Sequence, residues 1–184
     1  MHRRSIPSKR LAKRLVLLAA AAICALPWLA SGAAARDLTA DDKQLLKQYR
    51  LSLDTSERCV AAYKDVVAGA RSDPALKREF DKARGKQSDR TLNQIIKAYD
   101  SEYAATAAAL KKRNCAPRDF VLSTSSMAYA GLVNQLRQQG RATKGFDFVP
   151  PENLATYDKN KDRFAALTKE LQNVSQGGGA KRRP

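Results

Sequence analysis

The sequence predicts an all-α protein, and three observations carry that reading. Apolar residues recur at alternating intervals of three and four, the spacing that lines one face of an α-helix. Gly and Pro fall mainly where such runs end, and no stretch of the 184 residues shows the two-residue alternation of a half-buried strand. No internal repeat stands out. The fold expected from these runs is an antiparallel bundle of about four main helices, the first long and kinked near Pro74, with one disulfide.

The chain opens on a leader-like segment. Residues 1–14 carry Arg3, Arg4, Lys9, Arg10, Lys13 and Arg14 with no acid, and LVLLAAAAICALPWLA follows. A basic n-region, an apolar h-region broken by Pro27 and the small residues Ala33-Ala34-Ala35 read as a signal peptide cut after Ala35. The competing reading is an uncleaved anchor, since about 20 apolar residues can cross a bilayer; the small-residue site and the proline favour cleavage. Ala22-Ile23-Cys24 lacks the small residue a lipoprotein box needs before its cysteine, and Ser5-Ile6-Pro7 makes a poor continuation of a twin-arginine motif. The expected organisation is a cleaved signal peptide over 1–35, a helical bundle domain over 36–174 and a flexible basic Gly-rich tail over 175–184. The expected location is periplasmic or secreted, with no membrane span after cleavage.

Within the domain, Leu46, Tyr49, Leu53, Ser56, Val60, Tyr63, Val67 and Ala70 form the first inward face, and only Ser56 is polar. Asp54-Thr55-Ser56-Glu57 has the form of a capping box, so a break near Ser52 to Asp54 would divide this stretch. Asp73-Pro74 ends or kinks the helix, because proline disfavours a helical residue before it. Residues 74–84 then read as helical and 85–88 as a turn. The second long helix is expected to start with Ser88 or Asp89 as N-cap and run to about Asn114, facing inward with Leu92, Ile96, Tyr99, Tyr103, Thr106 and Leu110. Pro117 suits the first turn of a third helix through Val121, Ala128, Leu132 and Leu136, stopped by Gly140. After the loop GRATKGFDFVP, Pro151 opens a fourth, facing inward with Leu154, Tyr157, Lys161, Phe164, Leu167 and Leu171.

Removal of the leader takes away His2, the only histidine, together with Trp28 and Cys24. A mature chain of this size can bury a real core, but it holds no imidazole. Serine, cysteine and metallohydrolase sites usually depend on histidine, and haem attachment needs Cys-x-x-Cys-His, so all are disfavoured. No catalytic, cofactor-binding or metal-ligating residue is assigned, and no cofactor is expected. Carboxylate chemistry survives this argument, with Asp100, Glu102 and Asp119 as its candidates.

Cys59 and Cys115 are then the two remaining cysteines, and an oxidising compartment favours pairing them. If the first helix continued through Pro74 with a kink, Cys59 would lie 26 residues before Gly85 and Cys115 lies 27 after Ser88. Each residue adds about 1.5 Å along a helix, so the two sulfurs would sit level across a hairpin. A reversal at Pro74 would offset them. The alternative for Cys115 is a thiolate activated by Lys111, Lys112, Arg113 and Arg118, but no Cys-x-x-Cys motif supports a redox role.

Candidate ligand or partner contacts come from three places. Tyr63, Tyr99 and Tyr103 fall on inward faces, where facing hydroxyls would line a polar-tipped cavity; the simpler reading is amphipathic packing. Phe146 and Phe148 sit beside Pro150 and Pro151 in a loop that either caps the open end of the bundle, the default, or forms a lid or a docking surface. Lys181, Arg182 and Arg183 belong to the basic tail. Ser123-Thr124-Ser125-Ser126 makes the third helix small and hydroxylated, which more often marks close helix contact than a ligand site.

Charge points outward. Taking six leader cations from 34 basic residues leaves 28 against 18 acidic ones, a net +10 for residues 36–184. Such a chain is drawn to an anionic envelope component or an acidic protein; scattered charge that serves only solubility is the bland alternative. Nucleic acid is disfavoured as the physiological partner on compartment grounds, and self-association through the long hairpin is a further option. The function expected is therefore binding rather than catalysis, with a small-ligand carrier using the tyrosine-lined cavity as the alternative and a carboxylate enzyme behind it.

The runs RDFVLSTSSMAYAGLVNQLRQQG and NLATYDKNKDRFAAL resemble the C-terminal half of small secreted bacterial helical-bundle proteins without assigned activity, over about a third of the mature chain. The resemblance lies in core spacings and implies no activity. Basic periplasmic chaperones with Leu-Thr-x-x-Gln repeats offer a looser analogy of architecture and charge: Leu38-Thr39 is followed by Gln44, two positions too late, and no second copy appears.

Overall fold

The computed structural model describes residues 38–84 and 90–177, which form eight helices and no strand. The expected signal peptide, the 85–88 turn, Ser88 and Asp89 as caps, and the tail cations Lys181, Arg182 and Arg183 lie outside the described residues.

The first expected helix is three. Helix α1 (Ala40–Gln48) starts in a capping box, with Thr39 accepting from the Asp42 amide at 3.1 Å and Asp42 reaching back to the Thr39 amide. The backbone leaves the helix at Tyr49, and Ser52 caps α2 (Leu53–Gly69), at the edge of the break the sequence allowed for. Ser56, the polar exception on the inward face, is buried because its hydroxyl donates to the Ser52 carbonyl at 2.8 Å. Pro74 does not kink a continuous helix. Residues 70–73 form a turn, and Asp73 accepts from the amides of Ala75 (2.8 Å) and Leu76 (3.3 Å) to open α3 (Pro74–Arg84). Proline at the first helical position has no amide to leave orphaned, so Asp73-Pro74 begins a helix here.

The second expected helix begins later and divides. Thr91, in a capping box with Gln94, opens α4 (Leu92–Ser101), and Tyr103 then leaves the helical region (φ −129°, ψ 46°) before α5 (Ala104–Lys111). Tyr103 supplies no side-chain cap to α5. Glu79 of α3 takes that role from a distance, accepting from the amides of Ala105 (3.0 Å) and Thr106 (2.8 Å) and from the Thr106 hydroxyl (2.8 Å).

Helix α6 (Pro117–Gln138) starts with Pro117 at its first position and stops against Gly140 in the left-handed region (φ 63°), as the sequence implied. It packs against α1, α2, α4, α5, α7 (Pro151–Lys159) and α8 (Lys161–Gly177). That central position corrects its expected inward face. Ala128, Leu132 and Leu136 are only partly buried, while Phe120, Leu122, Met127, Tyr129 and Val133 are buried, as is the whole run Ser123 to Ser126. A helix surrounded on most sides has no single stripe for periodicity to find. Its hydroxyls stay small enough for close approach, and Thr124 bonds back to the Phe120 carbonyl at 2.6 Å.

The fourth expected helix also divides, at Asn160, whose side chain donates to the Thr156 carbonyl at 2.9 Å. The break exposes Lys161, expected inside, while Phe164, Leu167 and Leu171 carry α8 into the core.

Candidate functional site

Cys59 and Cys115 form the expected disulfide, with Cα atoms 5.1 Å apart and both residues fully buried. The bridge joins the second turn of α2 to the segment between α5 and α6. The equal-height argument does not hold along the rest of the hairpin. Glu79, six residues before Gly85, meets Ala105 and Thr106, which lie 17 and 18 residues after Ser88. The bridge requires only that α2 lie beside α5, and the turn at 70–73 lets α3 cross the α4–α5 junction without disturbing that pair. The link drawn between the bridge and a continuous kinked helix is thereby corrected.

The three candidate tyrosines join Phe120 in one aromatic chain. Tyr63 stacks on that ring (centroids 5.3 Å, planes 22° apart), Tyr99 meets its edge (6.4 Å, 84°), and Tyr103 meets Tyr99 edge-on (5.9 Å, 66°). All three tyrosines are at most 1% exposed. Ring fills ring, an arrangement of aromatic core packing. Burial, followed by the neighbouring Tyr63 and Tyr103, pushes the Tyr99 phenol well above its ordinary value, and burial raises Tyr103 as well. Tyr49 is pushed up to about 12, first by burial and then by the Asp119 carboxylate. These phenols stay protonated at neutral pH.

Phe146 and Phe148 do not join that cluster. Phe148 is buried with its ring edge-on to Tyr129 at 5.1 Å, and the half-buried Phe146 tilts against it at 6.0 Å. Gly145, at φ 95°, allows the loop to turn back and lay both rings on α6. The shallow depression that Phe148 borders, with Leu46, Ser126 and Asn153 also on its wall, has no room for a water molecule.

The carboxylate candidates occupy separate settings. Asp100 is exposed, and Asp119 sits in the first turn of α6. Glu102 accepts from Arg90 at 2.7 Å and pairs with Lys82 at 3.1 Å; the Lys82 bond, then Arg90, hold its carboxyl below the usual range. Lys82 also lies 5.8 Å from the Tyr103 ring centroid, within cation–π reach. Among the described residues, no three histidine, cysteine or carboxylate groups gather as a metal-binding set, and no helix is long and apolar enough to cross a membrane.

The cations noted around Cys115 do come together. The chain leaves α5 through a turn closed by Arg113 N–H to Leu110 O (3.1 Å) and Asn114 N–H to Lys111 O (2.9 Å), with Asn114 at φ 54°. Lys111, Lys112 and Arg118 are exposed there, and Arg113 pairs with Asp65 of α2 at 2.7 Å.

Sequence reading missed the polar groups that hold segments together from afar. Asp42 accepts from the Leu92 amide at 2.7 Å, Glu79 caps α5, and Asn153 accepts from the Leu51 amide at 2.8 Å while donating to the Tyr49 carbonyl at 2.9 Å. The one local signal was Thr39-x-x-Asp42, which marks a helix start but says nothing of Leu92. Comparison with protein-family models, curated proteins and solved structures finds no match to this chain.

Proposed function

We propose that the protein is exported, loses residues 1–35 and acts by binding an anionic envelope component or an acidic protein, without cofactor or catalysis. The observation that carries this reading is the net +10 of residues 36–184, presented in part on exposed Lys111, Lys112, Arg118, Arg137, Arg141 and Lys144. Cations on a surface raise the local concentration of anionic partners and speed encounter. The carrier reading draws less support, because Tyr63 and Tyr99 pack against Phe120 and Tyr103 against Tyr99. The carboxylate reading draws less still, because Glu102 is engaged by Lys82 and Arg90.

Co-sedimentation with envelope membranes of the host, at rising salt, tests the proposal. Screening shortens from about 10 Å at 0.1 M to about 3 Å at 1 M, so a charge-driven complex formed at low salt should dissociate. Retention at high salt would sink it, whereas no association at any salt would remove the membrane as partner and leave only an acidic protein. A native mass spectrum of the purified protein addresses the alternatives: a retained small ligand would promote the carrier, and a dimer mass would reveal self-association.

A further inference from the structure

Four cations occupy residues 111–118, followed by Asp119, and all lie on the turn that joins α5 to α6. Lys111 and Lys112 end α5, the left-handed Asn114 turns the chain, and the buried bridge to Cys59 holds that turn against α2. Arg118 follows in the first turn of α6. Arg113 is neutralised by Asp65, and Arg58, next to the other end of the bridge, by Asp54. Lys111, Lys112 and Arg118 have no carboxylate within ion-pair distance among the described residues.

These side chains are not all accounted for by helix stability. Lysines at the end of α5 complement the negative end of its dipole. Arg118 does the opposite: it stands at the positive end of a 22-residue helix whose Ala116 N-cap supplies no side-chain acceptor. The part-buried Asp119 in the same turn supplies the charge that complements this helix end, so the exposed Arg118 serves the surface rather than the helix.

We infer that the Lys111–Arg118 corner is the surface that docks on a bilayer bearing anionic phosphate headgroups, with Lys111, Lys112 and Arg118 as the headgroup contacts. The inference rests on the anionic-binding reading above and narrows it to a place and a partner. A bilayer fits better than an acidic protein. The exposed residues of the corner are Lys111, Lys112, Arg113, Asn114, Ala116 and Arg118, which offer no apolar centre of the kind protein interfaces bury. Attraction to an anionic membrane surface needs no such centre, and each nearby cation adds to it. The bridge keeps the backbone of the corner in place, so the cations are presented together.

Helix α6 supplies its own control. Arg137, Arg141 and Lys144 are exposed and carry the same charge, and Arg137 lies about 30 Å from Arg118, in the last turn of the same 22-residue helix. The protein and two variants, K111Q/K112Q/R118Q and R137Q/R141Q/K144Q, would be purified in oxidised form from the host. Partitioning onto phosphatidylcholine vesicles with and without phosphatidylglycerol would then be measured. The expected result is binding that requires phosphatidylglycerol, weakened about tenfold or more by the corner triple and clearly less by the distal one. Equal losses from the two triples would overturn the corner and leave diffuse charge as the cause. Equal binding to neutral vesicles would overturn the headgroup contact. Binding to polyglutamate but not to anionic vesicles would overturn the bilayer and leave the broader reading standing, whereas binding to neither would remove both.

Discussion

Two places fasten α2 to distant parts of the chain, and they do so by different physics. At Cys59 the fastening is covalent and spans 56 residues; near Ser52 it is one amide, Asn153, which reaches back 102 and 104 residues to Leu51 and Tyr49. The disulfide acts chiefly by shrinking the unfolded ensemble, whatever the native contacts around it. The amide acts only in the folded state, by satisfying a donor and an acceptor that the α1–α2 break would otherwise leave unmet. One restricts what the unfolded chain can explore, and the other makes a helix break tolerable.

The largest effect should come from opening the bridge. Replacing both cysteines by alanine, or reducing the protein, should lower unfolding free energy by about 4 kcal/mol, measured by urea denaturation with and without reductant. A loss below about 1 kcal/mol would mean that packing alone holds α2 to α5.

Asn153→Leu should come next. It substitutes an apolar side chain of similar branching and leaves the Leu51 amide and Tyr49 carbonyl unpaired, at a cost of about 3 kcal/mol. The same denaturation in the oxidised protein checks it, and hydrogen exchange should show the Leu51 amide losing protection. Unchanged protection would break the comparison by showing that the loop closes without its clamp.

A third fastening, α6 to α7, depends on space. A Cβ on Gly131 would lie 2.9 Å from the Tyr157 hydroxyl and 3.2 Å from the ring carbon bearing it, and Tyr157 is itself stacked on Phe164 at 5.3 Å. Gly131→Ala should therefore cost about 2 kcal/mol, and less in a Tyr157→Phe background where the hydroxyl is gone. Equal costs in both backgrounds would place the strain elsewhere.

The smallest effect is electrostatic. Because the Lys82 and Arg90 contacts depress the Glu102 carboxyl below 4.5 in the folded state, their stabilisation is fully present above that value and is lost as pH falls through the depressed one. Glu102→Gln should flatten this part of the acid limb of a stability–pH curve, lowering stability slightly at neutral pH and not at all below the depressed value. A midpoint shift that persists at every pH would point to packing instead.

Legibility in the sequence followed the range of the interactions. The cysteine pair was readable because two cysteines remain once the leader is set aside, although the equal-height count behind it does not describe the path of α3. Pro117, Gly140 and Pro151 marked their helix ends correctly because their constraints are local. Lys161 and Leu132 were misassigned because a periodic face assumes an unbroken helix with one buried side. The break at Asn160 removes the first condition for Lys161, and the central position of α6 removes the second for Leu132. The tyrosines were seen as inward, but only the structure shows Tyr63 and Tyr99 sharing Phe120, with Tyr103 against Tyr99, while Phe148 packs on Tyr129 and Phe146 on Phe148.

Helical class, the pairing of Cys59 with Cys115 and the excess of positive charge were thus set by the sequence alone, because each depends on composition or on neighbours within a turn or two. Where the long helices break and which polar group caps α5 were decided by the tertiary structure. A helix can stop at Tyr49 or Tyr103 only where something distant meets its orphaned backbone groups, and Asn153 and Glu79 arrive there only when the chain has folded.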